Sequence, residues 1–225
     1  MIHRYERKFI FTDKSAREVE TMIKLLKGGF SEIYSERFIN NIYFDKIGYP
    51  YLYDNINGVS SRIKARIRWY GNFFSEKNKY FFEIKKKEGF IVIKDSKNVS
   101  DLKLHPMTNL KTVLKTCLGS DHKKHFAKYS NLNPKLVNSY KRKYFLSKDK
   151  NFRVTIDSDQ KIGSPKNPLS LKNLYINTFK TIVELKYNRK WDIQAHQIIN
   201  GFSARINKNS KYIDGVNFLI KNFKS

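Results

Sequence analysis

Four cations stand at alternate positions in SSRIKARIRWYG, residues 60–71: Arg62, Lys64, Arg66 and Arg68, with Ile63, Ala65, Ile67 and Trp69 between them. At the period of two of an extended chain, this spacing sets four positive groups on one face of a strand and an apolar set on the other. Neighbouring cations on such a face lie about 7 Å apart and repel by roughly 2 kcal/mol at an effective dielectric near 20. An anion gripped in common would remove that penalty. A solvated outer face of a half-buried strand would account for the same pattern if the strand stood alone.

The alternation recurs, and the recurrence favours the anion. Arg4, Glu6 and Lys8 alternate in RYERKF, Glu83, Lys85 and Lys87 in YFFEIKKKE, Arg153, Thr155 and Asp157 in FRVTIDSD, and Glu184 and Lys186 in VELKY, while Arg142 stands in SYKRKYF. Opposite them fall Tyr5 and Phe9, Phe82 and Ile84, Val154 and Ile156, and Val183 and Leu185. If the apolar sets pack against helices, the charged sets turn into the interior of a curved sheet. A dry interior of that kind is very costly, so it must be wet or filled by an anion. Lys and Arg converging from several strands suit a chain of phosphates, and a glutamate among them suits a divalent metal that bridges phosphate oxygens. Phosphoryl transfer would then rest on positioning and charge neutralisation. On this reading, removing Arg66 or Arg68 takes a repelling cation from a wall and leaves the fold intact.

Strands are expected at 3–11, 38–45, 60–70, 79–89, 90–94, 135–146, 152–159 and 179–187. A helix is expected over 15–27, with Ser15 and Glu18 as a capping box and Gly28-Gly29 as its stop. GYPYLYDN, 48–55, reads as a turn or short helix. Met107, Leu110, Val113, Leu114, Cys117 and Leu118 make a helical face, as do Trp191, Ala195, Ile198, Ile199 and Phe202, and then Ile213, Val216, Leu219, Ile220 and Phe223. Strands in runs joined by short turns predict an α+β domain: an eight-stranded antiparallel β-barrel with flanking helices and a C-terminal helix.

The 225 residues, 40% hydrophobic and 15% aromatic, fit one domain over 1–225. The net charge of +25 predicts polyanionic partners: nucleic acid, an anionic membrane surface or phosphate-rich small molecules. One cysteine, Cys117, excludes an intramolecular disulfide and a thiolate metal site, and reads as a small core residue in a reducing compartment. No apolar leader and no run of eighteen apolar residues occurs, so a cytoplasmic chain is expected, with a membrane-protein partner still open. His122 and His125 lack carboxylates or cysteines at ligand spacing and read as a solvated loop. Trp69 lies on the apolar side and reads as core. No Gly-rich phosphate loop is present.

Taken in order, RYERKF, IYFD, RIRWYG, EIKKK, YKRKYF, RVTIDSD, VELKY and NSKYIDG resemble the VTC domain, the polyphosphate polymerase module of the triphosphate tunnel metalloenzyme (CYTH-like) superfamily, from Arg4 to about Gly215. The resemblance implies an eight-stranded tunnel that takes ATP and polyphosphate, with Mn²⁺ or Mg²⁺ bridging the triphosphate. It implies phosphate-binding roles for Lys8, Arg66, Arg68, Lys85, Lys87, Lys94, Arg142, Arg153 and Lys186, a metal-binding role for Glu184, and catalytic roles for Lys211, Arg66 and Arg68. Two departures stand out. Arg4 replaces the first Glu of the superfamily's Glu-x-Glu-x-Lys strand, and Lys87 replaces a histidine of the family pattern. The reading is a monomeric ATP-dependent polyphosphate polymerase with no specific nucleic-acid role. A triphosphate hydrolase on the same fold and a non-catalytic binder of polyphosphate or RNA are the alternatives.

Overall fold

The computed structural model describes residues 4–89, 91–118, 128–165, 175–176 and 180–222. Nine strands are found among them: β1 (Arg4–Phe11), β2 (Ser31–Asp45), β3 (Ser61–Tyr70), β4 (Tyr80–Glu88), β5 (Ile91–Val99), β6 (Asn133–Leu146), β7 (Phe152–Gly163), the two-residue β8 (Tyr175–Ile176) and β9 (Thr181–Asn188). The helices are α1 (Ala16–Leu25), α2 (Pro50–Ile56), α3 (Leu110–Leu118), α4 (Asp192–Ile199, entered through a 3₁₀ turn at Arg189–Trp191) and α5 (Lys211–Asn222). The strand path runs β1-β9-β7-β6-β2-β3-β4-β5, with β8 on β7, and every strand pair whose register is resolved is antiparallel. The class is the expected α+β with an eight-strand antiparallel sheet and flanking helices, but among the described residues the hydrogen-bonded path is open, ending at β1 and β5, where the sequence predicts a closed barrel.

The chain forms two compact units interleaved in sequence. The first comprises Met1–Phe38, Tyr140–Gln160 and Asn177–Asn209. In its register Lys8 faces Glu184 and Phe9 faces Val183, while Thr155 faces Glu184, so charged and apolar residues sort to opposite sides. The apolar side, with Phe9, Phe11, Val154, Ile156, Val183 and Leu185, is covered by Val19 and Ile23 of α1 and by Ala195 and Ile198 of α4. The capping box forms as its residues dictate, Glu18 N–H donating to Ser15 Oγ and Ser15 N–H to Glu18 Oε2 at 2.8 Å. The helix stops earlier than the expected Gly28-Gly29: Leu26 is already extended (φ −64°, ψ 150°) and donates its N–H to the Ile23 carbonyl, while Gly28, at φ 114°, lies in the turn beyond. Phe202 lies beyond α4 rather than on its face, and its ring stacks on Phe9 at 4.2 Å.

The second unit comprises Ile39–Ser139, Lys161–Ile176 and Ser210–Ser225. Ala65, Ile67, Trp69, Phe82 and Ile84 are packed by Tyr51 of α2 and by Leu110, Val113, Leu114, Cys117 and Leu118 of α3. Trp69 is fully buried, as its place in the alternation required, and burial pushes the Cys117 thiol up to about 12. Met107 is a correction: α3 begins three residues later, and Met107 sits in a turn with 74% of its surface exposed. Where the sequence predicts FIVIK as a short segment, β5 runs to Val99 and closes a hairpin with β4.

A second cluster forms on the opposite side of the sheet in this unit. There α5 packs Tyr212 and Val216 against Tyr43, Leu52, Leu136 and Ile162. The approach is close: a Cβ added to Gly215 would lie 2.6 Å from the Leu136 side chain. Tyr43 and Tyr212 stack at 5.4 Å, and Tyr212 donates its hydroxyl proton to the buried Asp45 at 2.7 Å. Burial, then the Asp45 carboxylate, raise the Tyr212 hydroxyl far above its ordinary range. The same carboxylate accepts the N–H groups of Lys46, Tyr51 and Leu52, so one side chain holds both the first turn of α2 and the first turn of α5.

Candidate functional site

In the second unit the register carries Arg62, Lys64, Arg66 and Arg68 of β3 onto one face with Glu83, Lys85 and Lys87 of β4 and Lys94 of β5. Seven cations share this face with one carboxylate, Glu83. Arg66 donates to Glu83 Oε2 from Nε at 2.8 Å and from its terminal nitrogen at 2.6 Å, and Lys94 reaches Glu83 Oε1 at 2.6 Å. Burial works to raise the Glu83 carboxyl, but Arg66, Lys94 and Arg68 outweigh it and hold the group below the ordinary 4.5. Arg68 donates to Asn41 Oδ1 at 2.9 Å, and Asn41 in turn donates to Asn138, whose own amide nitrogen finds no protein partner. Lys64 donates to Ser210 Oγ at 3.0 Å, which brings the start of α5, and with it Lys211, to this face.

Arg66 is therefore more than a repelling cation, and the expectation that its removal leaves the fold untouched is corrected. Arg66→Ala takes the guanidinium bonded to the buried Glu83 carboxylate, which keeps Lys94 and the charge of Arg68, and is expected to cost about 2 kcal/mol in denaturant unfolding, less than a fully buried pair because the Arg66 side chain is 24% exposed. The sign with pH follows from the lowered carboxyl. Its stabilisation is complete above 4.5 and is lost as the pH falls through the lower folded value, so Glu83→Gln should flatten the acid limb of the stability curve.

In the first unit the charged face is mixed. Lys8 Nζ lies 3.0 Å from Glu6 Oε1, 3.8 Å from Glu184 Oε2 and 3.0 Å from the Asn209 carbonyl oxygen, which it meets as a donor. Lys186 contacts the same two carboxylates, Glu6 and Glu184. Arg142 is bound in a fork to Asp157, at 2.5 and 2.7 Å. Burial acts to lower the Arg142 guanidinium, yet Asp157 outweighs it and raises the group well above its ordinary value, keeping it charged. Arg153 is exposed and sits across from Lys186 on this face. Thr155, opposite Glu184, is buried with a hydroxyl that has no protein partner.

The residues named from the sequence thus fall into two groups. Lys8, Arg142, Arg153, Glu184 and Lys186 gather in one unit, and Arg66, Arg68, Lys85, Lys87, Lys94 and Lys211 in the other. The counter-ions Glu6, Glu83 and Asp157 and the Asn41–Asn138 pair went unassigned, although strand parity had placed all three acids on the charged face. His122 and His125 lie outside the described residues. Among the described residues no group of three or more His, Cys, Asp or Glu could hold a metal by itself. Glu6 and Glu184, meeting at the same two lysines, fit a different mode. A small divalent cation is held by one or two carboxylates, with substrate phosphates completing its shell.

A family model described as the VTC domain matches residues 3–220. No curated protein matches the chain. Solved structures similar to it include a "putative adenylate cyclase" from Bacillus halodurans (13% identity, 100% of each chain covered, TM-score 0.54) and another from Vibrio parahaemolyticus (9% identity, 95% of this chain and 97% of that one, TM-score 0.53). The PH1819 protein of Pyrococcus horikoshii is also similar, with 11% identity, 96% and 99% coverage and a TM-score of 0.50. At these identities the likeness is one of fold. No described helix is long and apolar enough to cross a membrane.

Proposed function

The chain belongs to the VTC domain family, and from that membership we propose that it is an ATP-dependent polyphosphate polymerase. The bond between the γ-phosphorus and the β–γ bridging oxygen breaks, a bond forms from that phosphorus to a terminal oxygen of polyphosphate, and ADP leaves. The observation that supports this most is the excess of charge on the β3–β4–β5 face, seven cations to one carboxylate, which an oligophosphate would neutralise. Arg66 and Arg68 would hold phosphate oxygens through planar donors fixed by Glu83 and Asn41, and Lys211 would stabilise the charge that develops on the transferred group. Lys64, Lys85, Lys87 and Lys94 add charge on the same face. Lys8, Arg142, Arg153 and Lys186 are proposed as further phosphate ligands. Glu184 and Glu6 would hold Mn²⁺ or Mg²⁺, which supplies charge neutralisation on the phosphate oxygens.

Incubation of the protein with ATP and Mn²⁺ is expected to yield ADP and acid-labile polyphosphate that migrates as a ladder. Release of orthophosphate alone would instead identify a hydrolase, a reading the paired carboxylates Glu6 and Glu184 favour and Arg4, at the place of the superfamily's first glutamate, disfavours. Binding of polyphosphate with no turnover, unaffected by Glu184→Gln, would identify a carrier.

A further inference from the structure

The first unit carries an aromatic and cationic surface that none of the phosphate roles uses. On the part of β2 that precedes its pairing with β3, Tyr34 and Arg37 are exposed, Tyr34 by 57%. Tyr144 of β6 meets the Tyr34 ring edge to face, 5.7 Å apart at 88°. The Arg37 guanidinium carbon lies 4.8 Å from the centre of the Tyr144 ring and 5.4 Å from that of Tyr34. The Arg142 guanidinium carbon stands 6.0 Å from the Tyr144 ring, so Tyr144 is in contact with both arginines.

A stack serving stability alone gains most when its rings are buried; this one leaves a tyrosine and an arginine in water. Exposed tyrosine faces beside a guanidinium plane are the surface on which a nucleobase stacks, through dispersion and cation–π attraction. Tyr144 lies two positions along the strand from Arg142, about 7 Å, a distance a ribose and its first phosphate can span. We infer that Tyr34, Arg37 and Tyr144 form a platform for the base of a nucleoside triphosphate whose phosphates extend toward Arg142. This rests on the proposed phosphate-binding role of Arg142. It makes the platform the feature that separates nucleotides from inorganic oligophosphates. Because every base presents a π face, discrimination among ATP, GTP and UTP should be slight.

Titration calorimetry with β,γ-imido ATP and with inorganic tripolyphosphate, on the wild type, Tyr144→Leu and Tyr34→Ser, tests the assignment. The expected result is that both variants bind the nucleotide about tenfold more weakly, the equivalent of about 1.4 kcal/mol, and bind tripolyphosphate as the wild type does. Tyr34→Ser, at an exposed position, guards against a folding defect in Tyr144→Leu. Equal weakening of both ligands, or unaltered nucleotide affinity in both variants beside intact tripolyphosphate binding, overturns the platform alone. Failure of the wild type to bind either compound overturns the phosphate-binding reading and the platform with it.

Discussion

Replacing Arg68 with alanine is expected to lower kcat/KM for ATP about 10³-fold while the far-ultraviolet circular dichroism stays that of the wild type. The size follows from removing one fixed donor aimed at developing charge, which costs on the order of 10²–10³ in rate; the upper end is expected because the side chain also neutralises phosphate. The fold survives because Glu83, which feels the Arg68 charge, keeps its direct pairs with Arg66 and Lys94. Arg68 donates to the Asn41 side-chain oxygen, and losing that hydrogen bond costs about 1 kcal/mol. This separates Arg68 from Arg66, whose removal breaks direct hydrogen bonds to Glu83. Arg68→Lys should recover charge without the planar fork and restore activity only in part. Wild-type turnover in Arg68→Ala, with the protein folded, would remove the β3 face from the chemistry.

Asp45→Ala is expected to destabilise the second unit by about 4 kcal/mol, read as a shift of the denaturation midpoint at unchanged slope. Four donors converge on this fully buried carboxylate: three backbone N–H groups, at 2.7, 3.1 and 3.0 Å, and the Tyr212 hydroxyl at 2.7 Å. Each donor left buried without an acceptor costs about 1–3 kcal/mol, less where water enters the space vacated. Pro50 gives α2 a good first residue, but Tyr49 before it makes no side-chain cap, so the N-terminal amides depend on Asp45. Tyr212→Phe removes one bond of the four and should cost about 1 kcal/mol, with a smaller loss of activity through Lys211, its neighbour in the chain. A midpoint unchanged in Asp45→Ala would contradict the account of how α5 is held.

Strand parity alone was enough to sort the charged from the apolar positions. Lys8, Arg66, Arg68, Lys85, Arg153, Glu184 and Lys186 all lie on the face that the alternation assigned, because successive side chains of a strand must point to opposite sides. The capping box at Ser15 was equally legible, since it is a local backbone requirement. Ser31–Arg37 of β2 was not legible. Six of its seven residues are exposed, so no alternation marks it as a strand. The Met107 error has the matching cause: an apolar residue in phase with a helix, but placed before its start.

By itself the sequence determined which residues share a face, that the chain carries far more positive charge than its own acids can answer, and the family to which it belongs. It could not say which cation meets which acid. Only the tertiary structure decided that Arg66 and Lys94 converge on Glu83, that Lys8 and Lys186 share Glu6 and Glu184, and that Asp45 ties α2 to α5. Those choices join residues up to 180 positions apart, and they depend on strand register and helix docking, which long-range packing sets and local spacing does not encode.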